Sequence, residues 1–226
     1  MGSRADTIIW LLEELGVEYE VKYVQLKRMF TAPKEFKDFH RLGKAPIVTI
    51  TKDNGEVITL AESGHVCSYF LRHYDTNKKL LPNVKNAEEK VDYFLHYLEG
   101  TLMTSVIGLV VTFSTTRRHK HLRDDFQNMI GTYFLPELRN NLLYLTEQLK
   151  KSSGPYFLGD KLSVVDIYLS YPFSGLIGPT YGLFTGSEKK LEDDYPELAK
   201  WMETLKNEPG RIKAYSNIDL NIILKL

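Results

Sequence analysis

The chain has a single cysteine, Cys67, in 226 residues. A disulfide framework within the chain is therefore excluded, which fits a reducing compartment. No Cys-x-x-Cys can occur either, so dithiol exchange of the thioredoxin kind is ruled out. Long apolar runs are also missing. The longest candidate, 101–114 (TLMTSVIGLVVTFS), falls short of the ~18 residues that cross a bilayer and carries hydroxyls throughout, so no membrane span is expected. At the start, MGSRADTIIWLLEEL offers an apolar stretch of only five residues before Glu13 and Glu14, which does not read as a secretory leader. Gly2 is no myristoylation site, since Asp6 stands where that motif wants Ser or Thr. An excess of either charge is absent: Lys plus Arg and Asp plus Glu each number 29. No overall field draws the chain to nucleic acid or an anionic membrane. His119 and His121 have no third ligand nearby, so no metal is expected. The basic cluster 117–123 (RRHKHLR) reads as a solvated interhelical loop, not a phosphate contact. A soluble, cytoplasmic protein is expected.

What is present changes character along the chain. Residues 4–15 place Ile8, Ile9, Leu11, Leu12 and Leu15 at helical spacing and stop at Gly16, a natural terminator. Residues 17–26 (VEYEVKYVQL) alternate Val17, Tyr19, Val21 and Tyr23 against Glu18, Glu20 and Lys22, which predicts a strand with one covered face. A short helix is expected over 33–42, closed by Gly43. Residues 46–50 and 56–60 form two β-rich runs joined by Asp53-Asn54-Gly55, a hairpin signal. A helix over 63–74 follows. The segment 75–86 (DTNKKLLPNVKN) is polar, and beyond it strand signals stop. Helical patterns occupy about 87–114, 122–151, 163–176 and 196–207. The expected domains are an α/β unit over 1–75, a linker over 76–86 and an all-helical unit over 87–226.

Four local signals occur in order: SRADTIIWLLEELGVEYE, LGKAPIVTI, LAESGHVCSYFL and FLGDKLSVVDIYL. Each is weak alone, but their order and spacing resemble the glutathione transferase family, and its fungal members in particular, over nearly the whole chain. The resemblance implies a thioredoxin-like N-terminal domain followed by an all-α domain. The family's equivalent of Pro46 is cis. Such a bond would turn Ala45 outward so that its N–H and C=O pair with the cysteinyl part of glutathione. An ordinary Pro opening a strand is the plain alternative. Glu62 and Ser63 open a helix, where they would ordinarily be capping groups. By resemblance they bind the γ-glutamyl end of glutathione, Ser63 taking the carboxylate and Glu62 the ammonium. Lys44 resembles the residue that meets the glycyl carboxylate, or is a surface lysine. Ser163-Val-Val-Asp166 is a capping box that matches the family's folding signature.

The chemistry the family performs needs a thiolate. Lowering a thiol pKa from about 8.5 by two units takes roughly 2.7 kcal/mol, which a hydroxyl hydrogen bond and a helix N-terminus can supply. Ser3, beside Arg4, stands where a serine-type member carries that hydroxyl, and it serves equally as a helix cap. The chain opens at Met1-Gly2-Ser3, so the strand that begins the family's fold is missing from this sequence. Cys67 lies four residues past Ser63 inside a helix and reads as a buried structural thiol. Tyr97 and Thr104 are candidates for lining the pocket of a hydrophobic electrophile. The expectation is a glutathione-conjugating enzyme of detoxification type, with peroxides as further substrates, glutathione as co-substrate and no other cofactor. Family members dimerise, so a homodimer is expected. The alternative is a non-catalytic interaction or regulatory module on the same fold.

Overall fold

The fold is described from a computed structural model, covering residues 3–22, 34, 36–119, 121 and 123–216. The first half holds helix α1 (Arg4–Leu15), a one-turn helix α2 (Phe36–Phe39), strands β1 (Ile47–Thr51) and β2 (Val57–Ala61), and helix α3 (Ser63–His73). Ser3 caps α1: its main-chain N–H and its hydroxyl both donate to the Asp6 carboxylate, at 3.1 and 2.8 Å. At the other end Gly16 adopts the left-handed conformation, with φ 66°. The N–H groups of Gly16 and Val17 then bond the carbonyls of Glu13 and Leu12, the paired closure that only a residue free of Cβ adopts cheaply. β1 and β2 pair antiparallel, Ile47 opposite Ala61 through Thr51 opposite Val57, around a tight turn in which Gly55 has φ 82°.

The expected strand over 17–26 needs correction. Val17, Tyr19 and Val21 are half-buried against the core while Glu18, Glu20 and Lys22 are exposed, so the alternation holds. Yet residues 17–22 join no ladder, and the sheet among the described residues is two-stranded. Alternation reports a covered face; a ladder also needs a partner backbone, which side-chain pattern does not encode. Residues 23–26 of that segment, Pro33 and Glu35 of the next, and Gly2 lie outside the described residues. Among the described residues of the helix expected over 33–42, Phe36–Phe39 are helical, and Gly43 follows with φ 59°.

The second half is helical. α4 (Ala87–Tyr97) passes through a π turn at Leu98–Leu102 into α5 (Met103–Arg118). α6 (Arg123–Met129) passes through another at Ile130–Phe134 into α7 (Leu135–Lys151). α8 (Val164–Pro172) passes through a third at Phe173–Ile177 into α9 (Gly178–Thr185). Short α10 (Leu191–Asp194), α11 (Pro196–Lys206) and α12 (Pro209–Ser216) complete it. The apolar run 101–114 thus belongs to a longer continuous helix, and the span 87–116 is long and apolar enough to cross a membrane by composition alone. Half of its most apolar window is packed inside the protein. The described part of the basic cluster continues α5 as far as Arg118, while Lys120 and Leu122 lie outside the described residues.

α1 holds the two halves together. Every residue from Asp6 to Leu12 is buried, because α3 packs on one side and α8 and α12 on the others. At its C-terminal end Glu14 meets Lys79 at 2.7 Å and Glu13 meets Lys213 at 2.5 Å. In the helical half Asp166 is fully buried, and its carboxylate accepts from Ser163 N–H and Oγ, from Phe157 N–H and from Trp201 Nε1. Burial pushes this carboxyl up and the four donors oppose it. The capping box therefore also ties α8 to α11 and to the turn before α8.

Candidate active site

The β1–β2 register builds the site. Ile47 at the start of β1 pairs with Ala61 at the end of β2, so Ala45 and Pro46, just before β1, and Glu62 and Ser63, just after β2, lie at the same end of the sheet, where α3 begins. The Ala45–Pro46 bond is cis. Pro46 is buried, whereas Lys44 and Ala45 are exposed beside it. Glu62 is exposed and sits at φ 67°, ψ 112°, a region closed to most residues with a Cβ. Such a conformation costs on the order of 1–3 kcal/mol and persists only where the surroundings enforce it, most often at functional sites. Ser63 follows, only 4% exposed, at the positive end of the α3 dipole.

The Ser63 hydroxyl does not stand alone. Its Oγ lies 3.2 Å from the phenolic oxygen of Tyr168 on α8. That phenol donates in turn to Glu99 Oε1 at 3.1 Å. Glu99 sits in the π turn between α4 and α5 and takes a bidentate pair from Arg4, Nε to Oε1 at 2.7 Å and Nη2 to Oε2 at 2.8 Å. Glu99 raises the Arg4 guanidinium above its ordinary value, and the guanidinium lies 5.2 Å from the Tyr171 ring centre. Burial, and then Glu99, push the Tyr168 phenol far above its usual range, so it keeps its proton. A polar line thus crosses from the start of α3 to the start of α1.

Arg4 and Glu99 also form the lip of a cleft of about 660 Å³. Its walls are Met103, Thr104, Ile107 and Val111 of α5, with Met129 and Phe134 facing them. Phe134 fits against Gly108, where a Cβ would overlap the ring. The lining is mostly apolar with charge at one end, which suits a hydrophobic molecule carrying a polar group.

Of the residues singled out from sequence, the structure gathers Lys44, Ala45, Pro46, Glu62 and Ser63 at one end of the sheet. It places Thr104 in the cleft wall. Tyr97 lies elsewhere: it is buried, donates to Asn141 Oδ1 at 2.5 Å, stacks with Tyr93 and does not line the cleft. Ser3 adjoins Arg4 at the cleft lip, with its hydroxyl directed to Asp6. Cys67 is fully buried, and desolvation pushes its thiol up to about 12, which makes it inert at neutral pH. Sequence reading missed Arg4, Glu99 and Tyr168 as site residues. Glu99, a charge directly before the apolar run 101–114, was the one available signal. Among the described residues no group of three or more His, Cys, Asp or Glu side chains is disposed to hold a metal.

The architecture, a small thioredoxin-like unit followed by a helical one, recurs in solved structures. One is Ure2p5 from Phanerochaete chrysosporium, cocrystallized with 1-(S-glutathionyl)-2,4-dinitrobenzene. It matches with a TM-score of 0.73 at 17% identity over 100% of this chain and 94% of its own. A glutathione transferase family member from Pseudomonas fluorescens, with two glutathione bound, matches at 0.72 and 19% identity, covering 93% of this chain and 87% of its own. Sequence models of the glutathione S-transferase N-terminal domain and C-terminal domain match residues 3–73 and 111–219. Glutathione S-transferase 1 of Saccharomyces cerevisiae is 28% identical over 91% of this chain and 87% of its own length. The glutathione S-transferase-like protein OpS6 of Beauveria bassiana is 30% identical over 92% and 88%. The chain belongs to the glutathione S-transferase family.

Proposed function

We propose that this protein conjugates the thiolate of glutathione to hydrophobic electrophiles and also acts as a glutathione peroxidase, reducing peroxides to alcohols and water while two glutathione molecules leave as the disulfide. The observation that carries the reading is the β1–β2 register, in which Ala45 and Pro46 lie at the same end of the sheet as Glu62 and Ser63 at the N-terminus of α3, with Ser63 joined through Tyr168 to Glu99 in the lining of an apolar cleft. In this reading the Ala45 backbone pairs with the cysteinyl unit and Ser63 donates to the γ-glutamyl carboxylate. Glu62 takes the ammonium, and Lys44 the glycyl carboxylate. Ser3 stabilises the thiolate near Arg4, with Thr104 in the wall of the electrophile site. The division into a glutathione-binding unit over 1–75 and a helical unit from 87 onward, a cytoplasmic location and a homodimer belong to the same proposal.

Calorimetry with glutathione tests it, with Glu62→Ala as control. Binding that is at least tenfold weaker in Glu62→Ala, together with dinitrophenyl transfer by the wild type that Ser3→Ala diminishes, is expected. No binding to the wild type would overturn the reading. A second reading, a glutathione-binding module without conjugation, draws on the Ser3 hydroxyl being engaged by Asp6. It predicts glutathione binding with no transfer.

A further inference from the structure

The Tyr168 phenol has one proton and two oxygen neighbours. Glu99 is a carboxylate that can only accept, so the 3.1 Å bond uses the Tyr168 proton. The 3.2 Å contact with Ser63 is then a hydrogen bond only if Ser63 donates its own proton to Tyr168. The hydroxyl protons thus run in one direction, from Ser63 to Tyr168 to Glu99. A carboxylate arriving at Ser63 reverses the first step, because Ser63 must donate to the ligand. Tyr168 must then either face Ser63 lone pair to lone pair or turn its proton toward Ser63 and leave Glu99.

We propose that Tyr168 is a positioning residue whose single phenolic proton is contested between the glutathione site and the cleft, so that docking of the γ-glutamyl carboxylate at Ser63 releases one acceptor of Glu99 at the cleft lip. Tyr168 is 1% exposed and Ser63 4%, so water does not readily supply a substitute donor. The released Glu99 oxygen remains held in place by Arg4, which bonds both carboxylate oxygens. It becomes an acceptor for an electrophile that carries a hydrogen-bond donor. The device favours such electrophiles only after glutathione is seated. This inference rests on the assignment of Ser63 to glutathione.

The test is the affinity for glutathione of Tyr168→Phe, measured by calorimetry on the full chain. Losing the phenol removes the bond that ligand binding breaks and leaves the Ser63 proton free for the ligand. Binding should therefore tighten by about two- to tenfold, the worth of one hydrogen bond. A phenol that merely held Ser63 in position would act oppositely, and its loss would weaken binding. Glu99→Gln, which offers Tyr168 a weaker acceptor, should tighten binding in the same sense by a smaller factor, and it decides the matter if Tyr168→Phe does not fold. Unchanged or weaker binding in the variant that folds overturns the shared-proton inference while leaving the glutathione site standing. Absence of binding to the wild type overturns both.

Discussion

Glu62 is the residue where conformation and chemistry pull apart. At φ 67° and ψ 112° it carries a Cβ where glycine would sit without strain. Glu62→Gly should therefore be more stable than Glu62→Ala by about 1 kcal/mol, although both lose the carboxylate. Denaturant titration of the two variants measures the difference, and equal midpoints would mean that no strain is stored there. Cys67 makes a second case. Its thiol ionises near 12 in the folded protein, against about 8.5 in an unfolded chain. An acid whose folded pKa is raised favours folding fully below the unfolded value and loses that contribution as pH rises past it. The stability gap between wild type and Cys67→Ala should shrink by about 1.4 kcal/mol between pH 7.5 and 9.5. Paired unfolding curves at those pH values check it. A gap independent of pH would mean that the thiol is solvated.

Among the elements, those that follow from local rules were legible in the sequence. Gly16 terminates α1, the Asp53-Asn54-Gly55 turn joins β1 to β2, and Ser163 with Asp166 opens α8. Each depends on neighbours a few residues apart. What stayed hidden depends on distant partners. The alternation of residues 17–22 gave the covered face but not whether a ladder forms. The helix over 178–185 was missed because Gly178, Pro179 and Gly182 argue against one; there Phe173 and Ser187 backbone atoms crowd the glycines, so no larger residue fits. The site divides in the same way. The residues near Pro46 and Ser63 carry recognisable local patterns, whereas Glu99 and Tyr168 join only because a π turn and α8 meet across the fold. Asp166 shows how much tertiary partners add to a local motif. As a cap alone its loss would cost about 1 kcal/mol. Because Trp201 Nε1 and Phe157 N–H also depend on it, Asp166→Ala should cost about 3 kcal/mol or more, lowering Tm by roughly 6–12 °C. A thermal melt within about 3 °C of wild type would show that water or neighbours replace those bonds.

For the whole molecule, the burial of α1 by α3, α8 and α12 argues that the two halves unfold together. The two tryptophans report on them separately. Trp10 on α1 is 0% exposed, and Trp201 on α11 is 2% exposed. Single-tryptophan variants Trp10→Phe and Trp201→Phe should show superimposable fluorescence transitions, once each is normalised to its own stability by circular dichroism. Separated transitions would mean that the halves part before either melts.

The same helix sets a problem in time. α1 (Arg4–Leu15) leaves the ribosome well before the α8 (Val164–Pro172) and α12 (Pro209–Ser216) surfaces that cover it. At 5–20 residues per second, an apolar stretch that ends fully enclosed stays uncovered for about 10–40 s. During that interval Ile8, Ile9, Trp10, Leu11 and Leu12 have no native shelter on their α8 and α12 sides, so the nascent chain is a natural client for a holding chaperone. Its yield in a cell should depend on how long that wait lasts.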